Sequence, residues 1–155
     1  MNKQLILEKV IDLFNNKISA VDVEIKEVQE QVKSSPTAME SHSDTSRFQS
    51  GTLLQNLQRR KGELIKAINQ LTRMTLETRE CAHVGSIVAL DSEDPLYLLL
   101  PQGADFLEFE IEGIKVVAIG ADTILGKSLN GHKIGDSFTI NLPKGEKKRK
   151  IKSIS

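Results

Sequence analysis

The chain has 155 residues, and its 21 lysines and arginines are balanced by 21 aspartates and glutamates. A zero formal charge excludes a general attraction of the whole molecule to nucleic acid or to an anionic membrane. A charged partner would therefore have to bind a locally charged surface of the protein. Because Cys81 is the single cysteine and no apolar run approaches the roughly 18–20 residues that span a bilayer, we expect a cytoplasmic protein with no membrane partner.

The first predicted element is a long helix with one apolar stripe. Its apolar residues recur in alternating steps of four and three, which is typical of a heptad seam. The helix is predicted to end before Pro36, because proline disfavours helical geometry in the residue that precedes it. The seam consists of Leu7, Ile11, Phe14, Ile18, Val21, Ile25, Val28 and Val32.

A second seam with the same spacing begins at Leu54. It continues through Leu57, Leu64, Ile68 and Leu71, and Lys61 is its one position that is not apolar. A helix with a single apolar stripe must bury that stripe, and the nearest partner of matching length is the first helix. We therefore predict an antiparallel coiled-coil hairpin over residues 1–78, with a polar tip at about residues 34–48. We expect a monomer, although the same seam would also suit pairing between two copies.

Beyond Cys81 the apolar period changes from about 3.5 to two, which indicates strands. We predict a short helix between the fourth and fifth strands, with Asp122 as its cap and Leu125 and Leu129 on its apolar face. Residues 79–155 thus form a small antiparallel β domain with one short helix, and the whole chain belongs to the α+β class. The strands are predicted at residues 87–90, 96–100, 107–111, 114–119 and 138–142, with a last strand near the C-terminus.

Charge is unevenly distributed within this second half. Residues 91–112 include seven acids and no lysine or arginine, whereas Lys144, Lys147, Lys148, Arg149, Lys150 and Lys152 crowd the last strand. The pattern predicts one acidic and one basic edge of the sheet. A lysine-rich strand can discourage aggregation between sheet edges, and it can also form a docking surface for an acidic protein segment or for RNA.

Several glycine-containing motifs follow one another in the C-terminal part of the chain, and a pair of isoleucines closes the series. In order they are Thr123–Gly126, Leu129–Gly131, Gly135–Asp136, Pro143–Gly145 and the pair Ile151 and Ile154. Their spacing resembles the C-terminal domain of the Gre transcript-cleavage factors, in which Ser-Pro-Leu-Gly, Leu-x-Gly, Gly-Asp, Pro-x-Gly and Ile-x-x-Ile recur. Thr123 and Ile124 replace the Ser-Pro of that family.

The resemblance also covers the order of the domains, because Gre factors carry a coiled-coil hairpin ahead of an FKBP-like β domain. In that family the β domain binds the rim of the secondary channel of bacterial RNA polymerase, and the hairpin tip approaches the catalytic magnesium. The resemblance therefore implies a non-enzymatic regulator of transcription elongation that has no cofactor of its own and meets nucleic acid only within the polymerase complex. The matching polymerase-binding residues are Asp122, Thr123, Ile124, Leu125, Gly126 and Lys127.

In family members that stimulate transcript cleavage, the hairpin tip carries an aspartate and, three residues later, a glutamate, which help to hold a second Mg²⁺. Here Asp44 matches the first acid, but Arg47 replaces the second with a cation that would repel Mg²⁺. Glu40 is a candidate for the missing carboxylate. The other tip residues in this match are His42, Ser43 and Thr45.

Three other interpretations accompany this one. Ser43 and Asp44 are both suited to capping the second helix, a purely structural role. An FKBP-like fold suggests peptidyl-prolyl isomerase activity. Such an active site needs a deep aromatic pocket, however, and this half of the chain has only Tyr97 and three phenylalanines. A coiled-coil adaptor that dimerises through the seam is the third.

Overall fold

A computed structural model describes residues 2–34, 41–74, 79–91 and 95–155, with the backbone alone for residues 41–45 and 142. Two long helices, α1 (Lys3–Ser34) and α2 (Ser41–Thr72), form a hairpin that is followed by a six-stranded sheet and one short helix. The predicted α+β class and the predicted order of hairpin and β domain are thus confirmed. Neither long helix has, within the described residues, an apolar stretch sufficient to cross a membrane.

The chain divides into two compact units, Asp12–Lys66 and the combination of Met1–Ile11 with Ala67–Ser155. The second unit contains the whole sheet together with the beginning of α1 and the end of α2. The domain boundary between residues 78 and 79 stays a prediction.

The first unit is the part of the hairpin in which the seams of the two helices meet. Val21 and Val28 of α1 are buried with Leu57 of α2, and Ile25 and Leu54 pack against them. All five are seam positions, so the four-and-three spacing correctly predicted the buried face of both helices in this unit.

Helix α2 begins at Ser41, before the two residues that were predicted to cap it. Ser43 and Asp44 therefore lie within its first turn, and neither is its N-cap. This part of the capping interpretation is wrong, because residue types that favour an N-cap are also common in the first turn of a helix. The helical part of the chain thus includes residues 41–48 of the predicted tip.

The sheet consists of six strands in the spatial order β3-β4-β2-β1-β6-β5. The predicted strands are all present, and the five that were predicted with bounds agree with the structure to within one residue. The elements of this domain are β1 (Ile87–Leu90), β2 (Leu96–Leu100), β3 (Leu107–Ile111), β4 (Ile114–Gly120), α3 (Ile124–Leu129), β5 (Ser137–Leu142) and β6 (Gly145–Ile154).

One strand pair departs from the predicted antiparallel sheet. Strands β2 and β4 are parallel, in a register that runs from Leu96 opposite Val116 to Leu100 opposite Gly120. The tight turn at Glu112 and Gly113 joins β3 to β4, and β4 is inserted between β3 and β2. Edge strand β3 is antiparallel to β4, so β3 runs opposite to both β4 and β2.

The main core lies on the face of the sheet that α3 covers. The other face is also buried at Leu98, Val116 and Ala118, so β2 and β4 carry buried residues on both faces. This explains why their sequences are nearly continuous apolar runs. The core on the α3 side consists of Ala82, Val88, Leu90, Leu99, Val117, Ile119, Leu129, Phe138, Ile140, Ile151 and Ile154, with Tyr97 and Leu125 packed against it.

The predicted separation of charge across the sheet is present in the strand order. Edge strand β3 exposes Glu108 and Glu110, whereas β6, near the opposite edge, exposes lysines along its length. The two charged strands are separated by β4, β2 and β1.

Candidate protein-docking groove

The turn that begins α3 is organised by the side chain of Thr123. Its hydroxyl accepts a hydrogen bond from the Gly126 N–H at 3.0 Å and donates one to the Gly120 carbonyl oxygen at 2.8 Å. Thr123 is therefore the N-cap of the helix, with an extended backbone. A hydroxyl at this position satisfies one of the backbone N–H groups that a helix leaves unpaired at its start.

The same turn depends on the absence of a side chain at Gly126. A β-carbon there would lie 2.2 Å from the Gly120 carbonyl oxygen, which is far inside contact distance and belongs to rigid backbone. Glycine therefore allows the start of α3 to pack directly on the end of β4. The motif that this turn resembles also has glycine here, and the close approach is a physical reason for glycine in this chain.

Asp122 has a different role from the predicted one. Its Oδ1 atom accepts a hydrogen bond from the Gly103 N–H at 3.2 Å and thereby links the start of α3 to the loop after β2. The prediction that Asp122 caps α3 is wrong, because the adjacent Thr123 occupies the N-cap instead.

The geometry at Thr123 and Ile124 would also suit the Ser-Pro of the motif that these residues resemble. Serine and threonine both cap helices through a hydroxyl. Ile124 is the first helical residue, where proline is favoured because its missing N–H would be unpaired in any case. Isoleucine keeps the helix start and adds a large apolar side chain, of which 72% is exposed.

A groove of about 350 Å³ opens between α3 and the hairpin of β5 and β6. Its walls are mostly apolar, and two cationic side chains of β6 complete it. The lining residues are Tyr97, Ile124, Leu125, Ile140, Asn141, Pro143, Lys147 and Arg149.

The cations lie on the same face of the sheet as the apolar core because of the register of β5 and β6. Ile140 is opposite Lys147, and Phe138 is opposite Arg149. Lys147 is exposed, and Arg149 is half-buried and engaged in an interaction with its surroundings. The groove can therefore accept an apolar side chain beside an anionic one.

The six predicted polymerase-binding residues thus have different roles in the structure. Ile124 and Leu125 line the groove, whereas Thr123 and Gly126 build the turn, Asp122 holds the neighbouring loop, and Lys127 is exposed. Whether they bind a polymerase stays a prediction.

The opposite wall of the groove was predicted only in part. Lys147 and Arg149 were predicted to belong to a basic docking strand but were not placed beside α3, and no binding role was predicted for Ile140, Asn141 and Pro143. A signal was available, because the period of two places residues 147 and 149 on the same face as the buried Ile151. The information that β6 pairs with β5 over this stretch was needed to bring that face next to α3.

The predicted tip residues lie at the beginning of α2. His42, Ser43, Asp44 and Thr45 have helical backbone, and their side chains lie outside the described residues, as does the whole of Glu40. Arg47 is half-buried and makes an interaction within the chain. Among the side chains that are described, no cluster of three or more metal-ligating residues occurs.

These features define a class of protein in which a long helical hairpin precedes a six-stranded sheet with a grooved face. No protein-family profile matches the sequence, and no curated protein matches it either. Several solved structures are similar to the chain. Gfh1 of Thermus thermophilus, described as GreA factor homolog 1, is 20% identical over 96% of this chain and 92% of that chain, with a TM-score of 0.38.

Thermus aquaticus Gfh1 is similar at 19% identity, with coverage of 96% and 90% and a TM-score of 0.39. A further structure, described as the transcription factor Gfh1, is 18% identical with coverage of 93% and 92% and a TM-score of 0.36. At these identities and TM-scores, the residues of the three structures define no roles for residues of this chain.

Proposed function

We propose that the chain is a cytoplasmic, monomeric regulator of transcription elongation that binds bacterial RNA polymerase and acts through its secondary channel. The observation that carries the proposal is the order of parts: a long two-helix hairpin precedes a small sheet domain whose α3 turn contains the Gre-like motif Thr123–Gly126. A rigid hairpin is suited to entering a narrow channel, and a compact domain is suited to remaining at its mouth.

Docking would occur at the groove beside α3. Ile124 is a large apolar residue of the groove with 72% of its surface exposed, and it would insert into an apolar site on the rim of the channel. Lys147 and Arg149 would flank it and favour an acidic surface on the polymerase. Large apolar anchors surrounded by polar groups are typical of the residues that contribute most to binding.

The hairpin would modify elongation without stimulating transcript cleavage. Asp44 supplies one carboxylate in the sequence of the tip, and Arg47 stands where a second would be needed. A cation close to the catalytic centre would oppose the binding of a second Mg²⁺ and would favour contact with RNA phosphate instead. Any magnesium at the tip would be shared with the polymerase, and the chain would not be an enzyme by itself.

The test is a backtracked elongation complex incubated with the purified protein and Mg²⁺. We expect the protein to co-migrate with the complex while the RNA keeps its length. In a matched variant, Arg47→Glu, the second acid is restored at its place in the family motif, and some RNA shortening is expected. Failure of the wild-type protein to bind the complex would refute the proposal, and shortening by the wild type would refute its cleavage-deficient form.

The isomerase alternative predicts turnover of a proline-containing model peptide. The residues that line the groove include one aromatic side chain, Tyr97, so the structure offers little for a prolyl ring to stack on. A coiled-coil adaptor would instead form a dimer and would not bind polymerase. Light scattering on the purified chain distinguishes that alternative from a monomer.

A further inference from the structure

A second surface of the sheet domain is separate from the α3 groove and faces away from it. Alternate residues of β6 point to opposite faces of the sheet. Lys147, Arg149 and Ile151 point to the α3 side, so Lys148 and Lys150 point to the other side. Lys148 and Lys150 are exposed there, and exposed Lys152 follows them at a register irregularity of β6; we call these three residues the lysine row.

The lysine row is a local concentration of charge in a chain of zero net charge. Lys148 and Lys150 are two residues apart on a regular strand, which corresponds to about 6.6–6.8 Å. None of the three forms an ion pair within the described part of the chain. The residues opposite Lys148 and Lys150 on β5 are Thr139 and Ser137, whose exposed hydroxyls add hydrogen-bond donors instead of competing carboxylates.

A groove of about 340 Å³ adjoins one end of the lysine row. Its walls include Lys150 and Lys152, together with Gly135, Ile151 and the side chain of Ile134, which is 59% exposed. An apolar side chain thus lies beside two cations in a recess large enough for one planar ring.

The loop that carries Ile134 is fixed against β6 by backbone hydrogen bonds. The Gly135 N–H donates to the Ile151 carbonyl oxygen, and the Ile151 N–H donates to the Asp136 carbonyl oxygen, both at 2.9 Å. The Asp136 carboxylate accepts from the Lys133 N–H at 2.7 Å, which closes the turn. The backbone that forms the recess is therefore fixed before a ligand binds.

One acid, Asp91, also lines this recess, and it is already engaged. Its Oδ1 atom accepts from the Lys150 N–H at 3.2 Å, and its own N–H donates to the Lys150 carbonyl oxygen at 3.0 Å. These contacts extend the pairing between β1 and β6 and direct the carboxylate to backbone.

We propose that the lysine row and the adjoining recess bind single-stranded nucleic acid, with the lysines on successive phosphates and a base against Ile134. Lysine and arginine both bind phosphate, and lysine does so as a point charge that needs no fixed geometry. The recess beside Lys150 and Lys152 adds room for a flat base, which an acidic peptide side chain would not need. Unpaired bases can enter such a recess, whereas bases in a duplex are stacked and paired. The inference goes beyond the proposed function and does not depend on it.

The test uses the full chain and a labelled 12-nucleotide oligouridylate, followed by fluorescence anisotropy at several salt concentrations. Three phosphate contacts predict that the logarithm of the binding constant falls with the logarithm of salt concentration with a slope of about −2. The variant Lys148→Gln, Lys150→Gln, Lys152→Gln should bind about ten-fold or more weakly at low salt and lose most of that slope. Ile134→Ala should weaken binding without changing the slope.

The matched control is Lys9→Gln, Lys26→Gln, Lys33→Gln, which removes the same charge from exposed positions of α1 and should bind like the wild type. Equal loss in the two triple variants would show attraction to charge in general and would overturn the proposal. So would absence of binding by the wild type at low salt, equal affinity for a duplex of the same length, or displacement of the oligonucleotide by a polyglutamate peptide of the same length.

Discussion

The Nζ atom of Lys61 lies 2.5 Å from the Oδ1 atom of Asp22, at the one seam position of α2 that lacks an apolar side chain. The side chains of Lys61 and Asp22 remain 35% and 40% exposed, so solvent screens the pair and its contribution to stability is small. The ion pair instead favours one pairing of the two helices over others. An antiparallel partner that places another residue opposite Lys61 would leave the charge beside the apolar seam without a carboxylate.

A double-mutant cycle on this pair measures the interaction. We expect Asp22→Asn and Lys61→Met to show a coupling free energy of about 0.5 kcal/mol, since exposed ion pairs contribute about 0.2–1 kcal/mol. Urea unfolding at low and high salt provides the measurement, and the coupling should decrease as salt screens the charges. A coupling that does not change with salt would contradict an ionic origin.

Gly126→Ala should destabilise the sheet domain by about 1–3 kcal/mol, because the new β-carbon would overlap the Gly120 carbonyl oxygen and force the turn to shift. Gly62→Ala is the matched control. Gly62 lies in α2 with no neighbouring atom within 4 Å of an added β-carbon, so alanine should stabilise the helix by up to about 1 kcal/mol. Thermal unfolding followed by circular dichroism should show melting temperatures that move in opposite directions.

The N-cap assignment predicts a clear ranking of substitutions. Thr123→Ala should cost about 1 kcal/mol, because the Gly126 N–H loses its acceptor, and Thr123→Ser should restore most of the stability. Asp122→Ala should cost less, since the Gly103 N–H that it leaves is exposed and can bond to water. Chemical unfolding of the three variants checks this order, and a larger loss for Asp122→Ala would reverse the assignment.

Ile124→Glu should weaken binding to RNA polymerase about ten-fold while leaving unfolding of the protein nearly unchanged, because most of the side chain is in solvent before docking. The comparison variant is Phe106→Glu, which changes another exposed apolar residue, 60% exposed, outside the groove. Co-migration with polymerase should be lost only for the Ile124 variant. Equal loss in both would place the docking surface elsewhere.

The burial of the Lys3 ammonium predicts that the free energy of unfolding changes with pH in the alkaline range. Its Nζ atom is buried without a hydrogen-bond partner, and desolvation lowers the pKa of its ammonium from 10.5. Below the lowered pKa the folded state carries a partly desolvated charge, which destabilises it. As the pH rises from that value to 10.5, the folded state loses its proton first, so the free energy of unfolding should increase.

Lys3→Met removes the titrating group and is the reference for this prediction. The variant should be more stable than the wild type near neutral pH, and the difference between them should shrink as the pH approaches 10.5. Urea unfolding at a series of pH values gives this difference directly. A difference that is constant with pH would show that Lys3 retains its ordinary pKa.

The strands and the hairpin could be predicted because their residues repeat with a period that a single element imposes. The periods of Leu107–Ile111 and of the heptad seams depend on local geometry alone. The parallel pairing of β2 with β4 could not be predicted, because a buried strand such as Leu96–Leu100 has the same apolar run whichever direction its neighbour takes.

The candidate site was only half predictable for a related reason. The turn at Thr123–Gly126 has a local motif, and its residues are close in sequence. The facing wall at Lys147 and Arg149 lies more than twenty residues away and depends on the register of β5 with β6. Asp122 and Thr123 are adjacent and both residue types favour the N-cap, so the sequence does not decide between them. The direction of the backbone at the start of α3 decides it.

The pairing of β1 with β6 has a consequence for how the domain assembles. The Ile87 N–H donates to the Ser155 carbonyl oxygen at 2.7 Å, and the Ser155 N–H donates back at 2.9 Å, across 68 positions of the chain. During synthesis β1 can therefore find β2 early, but its other side stays open until Ser155 has left the ribosome. Contacts so distant in sequence form late and slowly, and the growing polypeptide has an unpaired strand side that a chaperone could shield.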